Sequence, residues 1–323
     1  MSVPDLDLAE VAALMRATWP VPCWNYTEEL LHGYIYRPTG DAGLTSIRRN
    51  EAGELTGFLC YVPYELTFAS TSKRCLFGSF WTSDRAAANT SFLSMPKELI
   101  DKARARGYSG LLAINEPGSF AERSYEMVTR FLLGTSPTKL REFETLLGQP
   151  RRIARRIVDA GAVPGSLAAR YEPEHRAQAF ELLRAQATDC DLAWAVPEAD
   201  VDFLLGGDHA RTWLGEGALL NVRCVEMLLP RKVSMAHLDH CVLPRDPGRR
   251  GAFLATVFAD PFWEGIAFVS TTDLGPTPPQ VFTDLGFIAP AGKRQQLLLS
   301  SLDETRLELK TPMPERKIAL HTF

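Results

Sequence analysis

The order of predicted elements in this chain occurs twice, and that repetition limits its fold more than any single motif. In the first half an amphipathic helix over Asp7–Trp19 leads to an extended run, Leu44–Phe68, interrupted at Asn50–Gly53. A second extended run, Cys75–Trp81, precedes a polar turn at Ser83–Asn89, a helix over Thr90–Gly107 and an apolar strand, Leu111–Asn115. The second half replays this order. Its helix is Glu174–Ala187, its paired strands lie within Trp213–Leu229, and a strand over Val233–Val242 runs into a turn at Pro244–Gly251. A helix over Phe253–Trp263 and a strand over Ile266–Ser270 follow. The helix entrances match in character, Ser91-Phe92-Leu93-Ser94 against Ala252-Phe253-Leu254-Ala255. A chain of 323 residues exceeds one ordinary core and suits two of roughly 150 residues each.

Periodicity supports the element types. Leu8, Val11, Leu14 and Met15 recur at helical spacing. Phe58, Cys60, Val62 and Tyr64 alternate with Leu59, Tyr61 and Pro63, so both faces are apolar, as in a strand covered on both sides. Pro63 cannot donate to a ladder and predicts an edge or a bulge. Gly107 is placed to end its helix in a left-handed cap, and strand, helix, strand in succession implies a right-handed crossover between parallel strands. Phe120–Leu133 reads as the next helix and Lys139–Leu147 as another. The segment 151–169, with Ala160–Gly165 as its clearest signal, reads as a linker between a domain over 1–150 and a domain over 170–323. Arg151, Arg152, Arg155 and Arg156 form a basic cluster there, readable as a solvated helix face or as a phosphate-contacting patch. A short helix over Thr277–Gly286 and a strand over Gln295–Leu299 close the second half.

The net charge of −4 argues against general affinity for nucleic acid or an anionic membrane, both of which need a basic excess. No apolar stretch approaches the roughly 18–20 residues of a membrane span, and the acidic start Met1-Ser2-Val3-Pro4-Asp5 lacks the basic-then-apolar order of a signal peptide. The six cysteines are scattered without a CxxC pair, which fits a reducing, cytoplasmic setting rather than a zinc or disulfide framework. No phosphate-binding loop, dinucleotide fingerprint, nucleophile elbow or His-Glu-x-x-His is present.

This order of elements resembles the GNAT acyltransferase family. Gly53-Glu54-Leu55-Thr56-Gly57-Phe58 is similar to that family's second hairpin, and Val281-Phe282-Thr283-Asp284-Leu285-Gly286-Phe287 looks like its closing signature, a short helix delivering Leu-Gly-Phe to the last strand. The resemblance covers both halves. It implies an α/β chain of two GNAT-like domains, each a mixed β-sheet flanked by helices, and a transfer of an acetyl or other acyl group from acetyl-CoA or another acyl-CoA to a small-molecule amine. In that family a turn after the fourth strand, Arg/Gln-x-x-Gly-x-Gly/Ala, turns its N–H groups to the cofactor diphosphate, and the next helix adds its positive end. The matching stretch here is Arg85-Ala86-Ala87-Ala88-Asn89-Thr90, with alanines where glycine is usual; the resemblance places cofactor contacts there, at Phe80, Trp81 and Thr82 just before it, and at Asn115. The second half offers Gly248, Arg249, Arg250 and Gly251 in a shifted register as the alternative cofactor loop, followed by a helix with Pro261 inside it.

Acyl transfer to an amine needs a base for the amine proton and an acid for the departing thiolate. The resemblance points to Tyr125 as the acid. Glu65, in an otherwise apolar strand, is either a candidate base that desolvation would tune or an edge-exposed surface residue. Asp84, after Trp81, is near the expected reaction centre and could instead cap a helix. His237 and Asp239 share one face of a second-half strand and could line an acceptor pocket, while the missing third ligand speaks against a metal. Two rival readings remain open: an aminoacyl-tRNA-dependent transferase, with the arginine cluster on RNA, and a non-catalytic ligand-binding or scaffold protein whose cofactor loops have decayed.

Overall fold

Asp7 accepts hydrogen bonds from the N–H groups of Ala9 (2.8 Å) and Glu10 (3.2 Å), and this cap starts α1 (Leu8–Thr18), which buries Leu8, Val11, Ala12 and Met15. Thr27 caps α2 (Glu28–Ile35) in the same way. The computed structural model describes residues 6–19, 21, 23–68, 71–84, 93–165, 168–291, 294–302 and 318–320. The extended run expected over Leu44–Phe68 forms β1 (Thr45–Arg49) and β2 (Leu55–Phe68), and Gly53 takes φ 85° in the turn between them. Then come β3 (Thr71–Ser83), α3 (Ser94–Ala105), β4 (Gly110–Asn115) and α4 (Phe120–Val128). A π-helical turn, Thr129–Leu133, extends α4 and ends at Gly134 with φ 68°.

The helix expected over Lys139–Leu147 is instead a strand, β5 (Thr138–Gly148). Leu140, Phe143 and Leu146 are buried at a spacing of three, which imitates a helical face. In a strand these positions fall on alternate faces, so β5 is covered on both sides and shows no period of two. The expected linker likewise begins as a helix, α5 (Pro150–Asp159), opened by a proline at its first turn and burying Ile153 and Ile157. Of its arginines, Arg156 donates to the Asp284 carbonyl (3.2 Å) and Arg155 pairs with Asp159 (3.9 Å).

The second half contributes α6 (Arg176–Thr188), β6 (Leu192–Trp194), α7 (Val201–Gly206), β7 (Ala210–Gly215), β8 (Ala218–Leu228), β9 (Val233–Val242), α8 (Pro247–Phe258), β10 (Phe268–Thr272), α9 (Pro279–Asp284) and β11 (Arg294–Ser301). The turn expected over Pro244–Gly251 is therefore helical from Pro247 onward. Asp246 caps that helix by accepting from the Arg249 N–H (2.7 Å). Pro261 does end it, by starting a separate 3-10 turn, Pro261–Gly265. Gly286 terminates α9 at φ 91°, and a side chain there would meet Arg156.

The chain divides into two compact units, and neither is a continuous half. The first comprises Met1–Glu142 with Arg294–Glu315, the second Phe143–Lys293 with Arg316–Thr322. In the first unit β1, β2 and β3 pair antiparallel, β3 and β4 pair parallel, and β11 closes antiparallel against β4, from Gln296 opposite Asn115 to Ser301 opposite Gly110. Pro63 sits opposite Leu76 without irregularity; the bulge lies in β3 instead, where Phe80 and Trp81 oppose the single Leu59. One core packs Leu59, Tyr61, Leu76, Leu111 and Leu298 against α3 and α4. In the second unit β7, β8 and β9 pair antiparallel, β9 and β10 pair parallel, and residues 145–148 of β5 close antiparallel against β10. Its core packs Leu220, Val222, Ala236 and Val269 against Phe253, Leu254 and Val257 of α8. Each unit is thus a mixed sheet flanked by helices.

Candidate functional site

Both units contain the same interrupted parallel ladder. In the first, β3 and β4 pair through Cys75–Gly110, Leu76–Leu111 and Phe77–Leu112, and there pairing stops although β3 runs to Ser83 and β4 to Asn115. In the second, β9 and β10 pair through Met235–Phe268, Ala236–Val269 and His237–Ser270 before β9 continues to Val242. Each parting is accompanied by a bulge in the longer strand. The β2–β3 register slips between Phe58 and Cys60, and the β8–β9 register slips between Asn221 and Val222. A bulge bends its strand away from the neighbour it had been pairing with, which opens a crevice at the carboxyl ends of parallel strands, the usual place for a ligand in an open sheet.

The first-unit crevice carries two marks of a binding site. Phe80, in the bulge, has φ 55°, which is rare outside glycine and costs about 1–3 kcal/mol. Its buried ring is clamped against Tyr26 (5.1 Å) and Tyr34 (5.2 Å), which hold the strained backbone in place. Ser79 Oγ and Asn115 Nδ2, on the two strands that part, are buried and make no hydrogen bond among the described residues. A buried polar atom without a partner costs about 1–3 kcal/mol, which an incoming hydrogen-bonding group would offset. Trp81 packs partly buried against the core, and Thr82 shares a short hydrogen bond with Thr18. The expected diphosphate-contacting residues Arg85, Ala86, Ala87, Ala88, Asn89 and Thr90 lie outside the described residues. Beyond them, α3 has Leu93 at its N-cap position, and no side chain among the described residues caps its first N–H groups.

The second-unit crevice is built differently. Gly248, Arg249, Arg250 and Gly251 form the first turns of α8 rather than a loop, and the Asp246 carboxylate at that end would repel a diphosphate. A cleft where β9 and β10 part is lined by Leu238, Asp239, Cys241, Thr271, Thr272 and Thr277. Its strand edge is engaged from within: the Cys241 carbonyl accepts from Gln186 Nε2 (2.8 Å) and Thr277 Oγ1 (3.4 Å). Burial pushes the Cys241 thiol up to about 12, so it stays protonated. His237 and Asp239 are brought together, but each is already committed. His237 Nδ1 is 2.8 Å from Ser270 Oγ, its Nε2 is 4.0 Å from Asp239, and Asp239 forms a 2.6 Å ion pair with Arg223. Among the described residues no group of three or more His, Cys, Asp or Glu side chains is placed to hold a metal, and no helix is long and apolar enough to cross a membrane.

The proton-transfer candidates are scattered. Glu65 is exposed and accepts from Ser72, so the apolar burial that suggested a base there is missing. It lies near the end of β2, opposite the exposed Arg74 of β3. Asp84 is exposed at the end of β3, and its N–H donates to the Thr56 carbonyl (2.8 Å). Tyr125 is buried; its hydroxyl donates to the Leu111 carbonyl (2.7 Å) and lies 3.0 Å from Ser300 Oγ. Burial, only partly offset by the Ser300 contact, raises its phenol above the ordinary value. That geometry describes a brace between α4, β4 and β11. Tyr125→Phe is expected to lower stability by about 1–2 kcal/mol in thermal or denaturant melts; the Ser79, Phe80 and Asn115 signals have no counterpart in composition or spacing.

Set beside solved structures, the chain has the fold of Saccharomyces cerevisiae N-myristoyltransferase with bound myristoyl-CoA, with a TM-score of 0.69 at 10% identity over 90% of this chain and 79% of that one. A second structure of that protein with bound myristoyl-CoA gives 0.68 at 11% identity, covering 90% and 75%. A conserved protein of unknown function from Enterococcus faecalis V583, described as a probable N-acyltransferase, gives 0.53 at 7% identity over 91% and 70%. No protein-family model and no curated protein matches the sequence. The mixed sheets with flanking helices are those of a GNAT-like acyltransferase fold, as the resemblance implied; at these identities the likeness is one of fold.

Proposed function

We propose that this chain is an acyltransferase that moves an acetyl or other acyl group from coenzyme A to the amine of a small molecule, with the acyl-CoA arm entering the first unit between β3 and β4. The observation that carries this reading is the pair of buried, unpartnered polar atoms, Ser79 Oγ and Asn115 Nδ2, on the two strands that part. An arm bearing amides would satisfy both. The uncapped start of α3 favours an anion nearby, whereas its second-unit counterpart is closed by Asp246. The fold is shared with a protein crystallised with myristoyl-CoA, which extends the acyl range to be tried beyond acetyl.

In this mechanism the amine nitrogen attacks the thioester carbonyl and the thiolate departs. Strand amides freed by the bulge at Phe80 would face the developing oxyanion. We assign the proton-accepting role to Asp84, which stands exposed where β3 ends; Tyr125 serves as the brace described above, so Tyr125→Phe should leave kcat nearly unchanged.

Titration calorimetry with acetyl-CoA and myristoyl-CoA tests the reading. The wild type is expected to bind at least one of them. Asn115→Leu should weaken it about tenfold, the worth of one lost hydrogen bond, and Arg85→Glu should weaken it further in a salt-dependent way. A wild type that binds neither cofactor would remove the proposal, and unchanged affinity in both variants would move the cofactor out of this crevice.

A further inference from the structure

In the first unit, α4 and its π-helical turn present a row of large apolar side chains to solvent: Phe120 is 73% exposed, Phe131 68% and Met127 40%. Steps of seven and four residues place the three on one stripe of the helix. Arg123, Glu126 and Arg130 are exposed alongside and form no ion pair among the described residues. The opposite face of the same helix is fully used, with Ser124, Tyr125 and Val128 buried. Large aromatics beside unpaired charges of both signs are what a partner-facing surface carries.

The pattern is also a palindrome. Phe120 and Phe131 are equidistant from the midpoint between Tyr125 and Glu126. When a second α4 is laid antiparallel on the first, Phe120 of each copy meets Phe131 of the other, and the two Met127 side chains meet near the centre. Arg123 then falls within one turn of Glu126 of the opposite copy, twice. A surface complementary to itself after a half-turn is the requirement for a closed dimer. An anionic lipid surface would need a basic excess, which neither this stripe, with Glu126 between two arginines, nor the chain's net charge of −4 supplies. We propose that the exposed face of α4 is a two-fold interface with a second copy of this chain. One helix pair buries less than the roughly 800 Å² per partner of a standard interface, so the dimer is weak, in the micromolar range.

Analytical ultracentrifugation of the full chain tests this directly. The mass is expected to rise from the monomer's 35.9 kDa toward twice that value as concentration climbs from about 1 to about 100 µM. Phe131→Glu should hold the protein monomeric, and Glu126→Arg should raise the dissociation constant about tenfold or more by turning two attractions into repulsions. The double variant Arg123→Glu/Glu126→Arg restores the pairing in reverse and should recover the dimer. These side chains are exposed, and circular dichroism is to check that each variant is folded. A monomeric wild type at every concentration overturns the proposal. So does a dimer indifferent to Phe131→Glu, a double variant that fails to recover, or partition of a monomeric protein onto anionic vesicles.

Discussion

Removal of residues 294–323 is expected to unfold the first unit, while a chain ending at Leu302 should keep it. This contrast is expected because β11 closes the first unit against β4, while the strands β1 to β4 that it completes all end by Asn115. Leu297, Leu298 and Leu299 are buried there, along with Gln296 and Ser300, and Leu302 joins the same core. Burying each leucine stabilises by about 1.5–3 kcal/mol, and loss of the ladder also bares the edge of β4. The sum reaches the whole stability of a typical domain, about 5–15 kcal/mol. Limited proteolysis with mass spectrometry reads the result: the shorter chain should be cut throughout residues 6–115, the longer one spared. Equal protection of that region in both would show that β11 is dispensable.

The second large effect belongs to Arg223→Leu. Asp239 has a side chain only 3% exposed, and Arg223, at 2.6 Å, is its ion-pair partner. Leaving a buried carboxylate without its cation costs about 3–5 kcal/mol, whereas replacing both members with apolar groups is often neutral. The single variant should therefore melt far below the wild type, and Arg223→Leu/Asp239→Leu should recover most of the loss. If the double variant melts as low as the single one, the pair is not what matters. In that case Asp239 regains its claim to an acceptor-binding role.

How much of this was legible in the sequence depends on whether local chemistry carried the signal. The helix opening at Asp7, the Gly53 turn, the strand at Val233–Val242 and the Leu285-Gly286-Phe287 ending are all written in short-range patterns, and they stand where expected, whereas the Thr27-capped α2 was not anticipated. β5 misled because a strand covered on both faces needs no alternation, so Leu140, Phe143 and Leu146 at a spacing of three passed for helix. Gly248 and Gly251 misled because glycine suggests a turn, yet Asp246 and Pro247 ahead of them are stronger signals to begin a helix. The crevice itself was invisible. A parallel ladder that stops after three rungs, a phenylalanine held at positive φ by two distant tyrosines, and the unpartnered Ser79 and Asn115 all arise from long-range pairing. Asn115 was nominated by position within a resemblance, and that its Nδ2 is buried without a partner among the described residues could not be read from the sequence.

The two sheets are each closed by a strand from the other half of the sequence: residues 145–148 against β10, and residues 296–301 against β4. A single-copy ancestor with this wiring would have had to lend its last strand to a twin and borrow one back, as strand-exchanged homodimers do. Fusing two such copies makes the loan internal and permanent. The halves are then no longer separable modules, and a recombination event or an engineered split at the midpoint would leave both pieces lacking a strand.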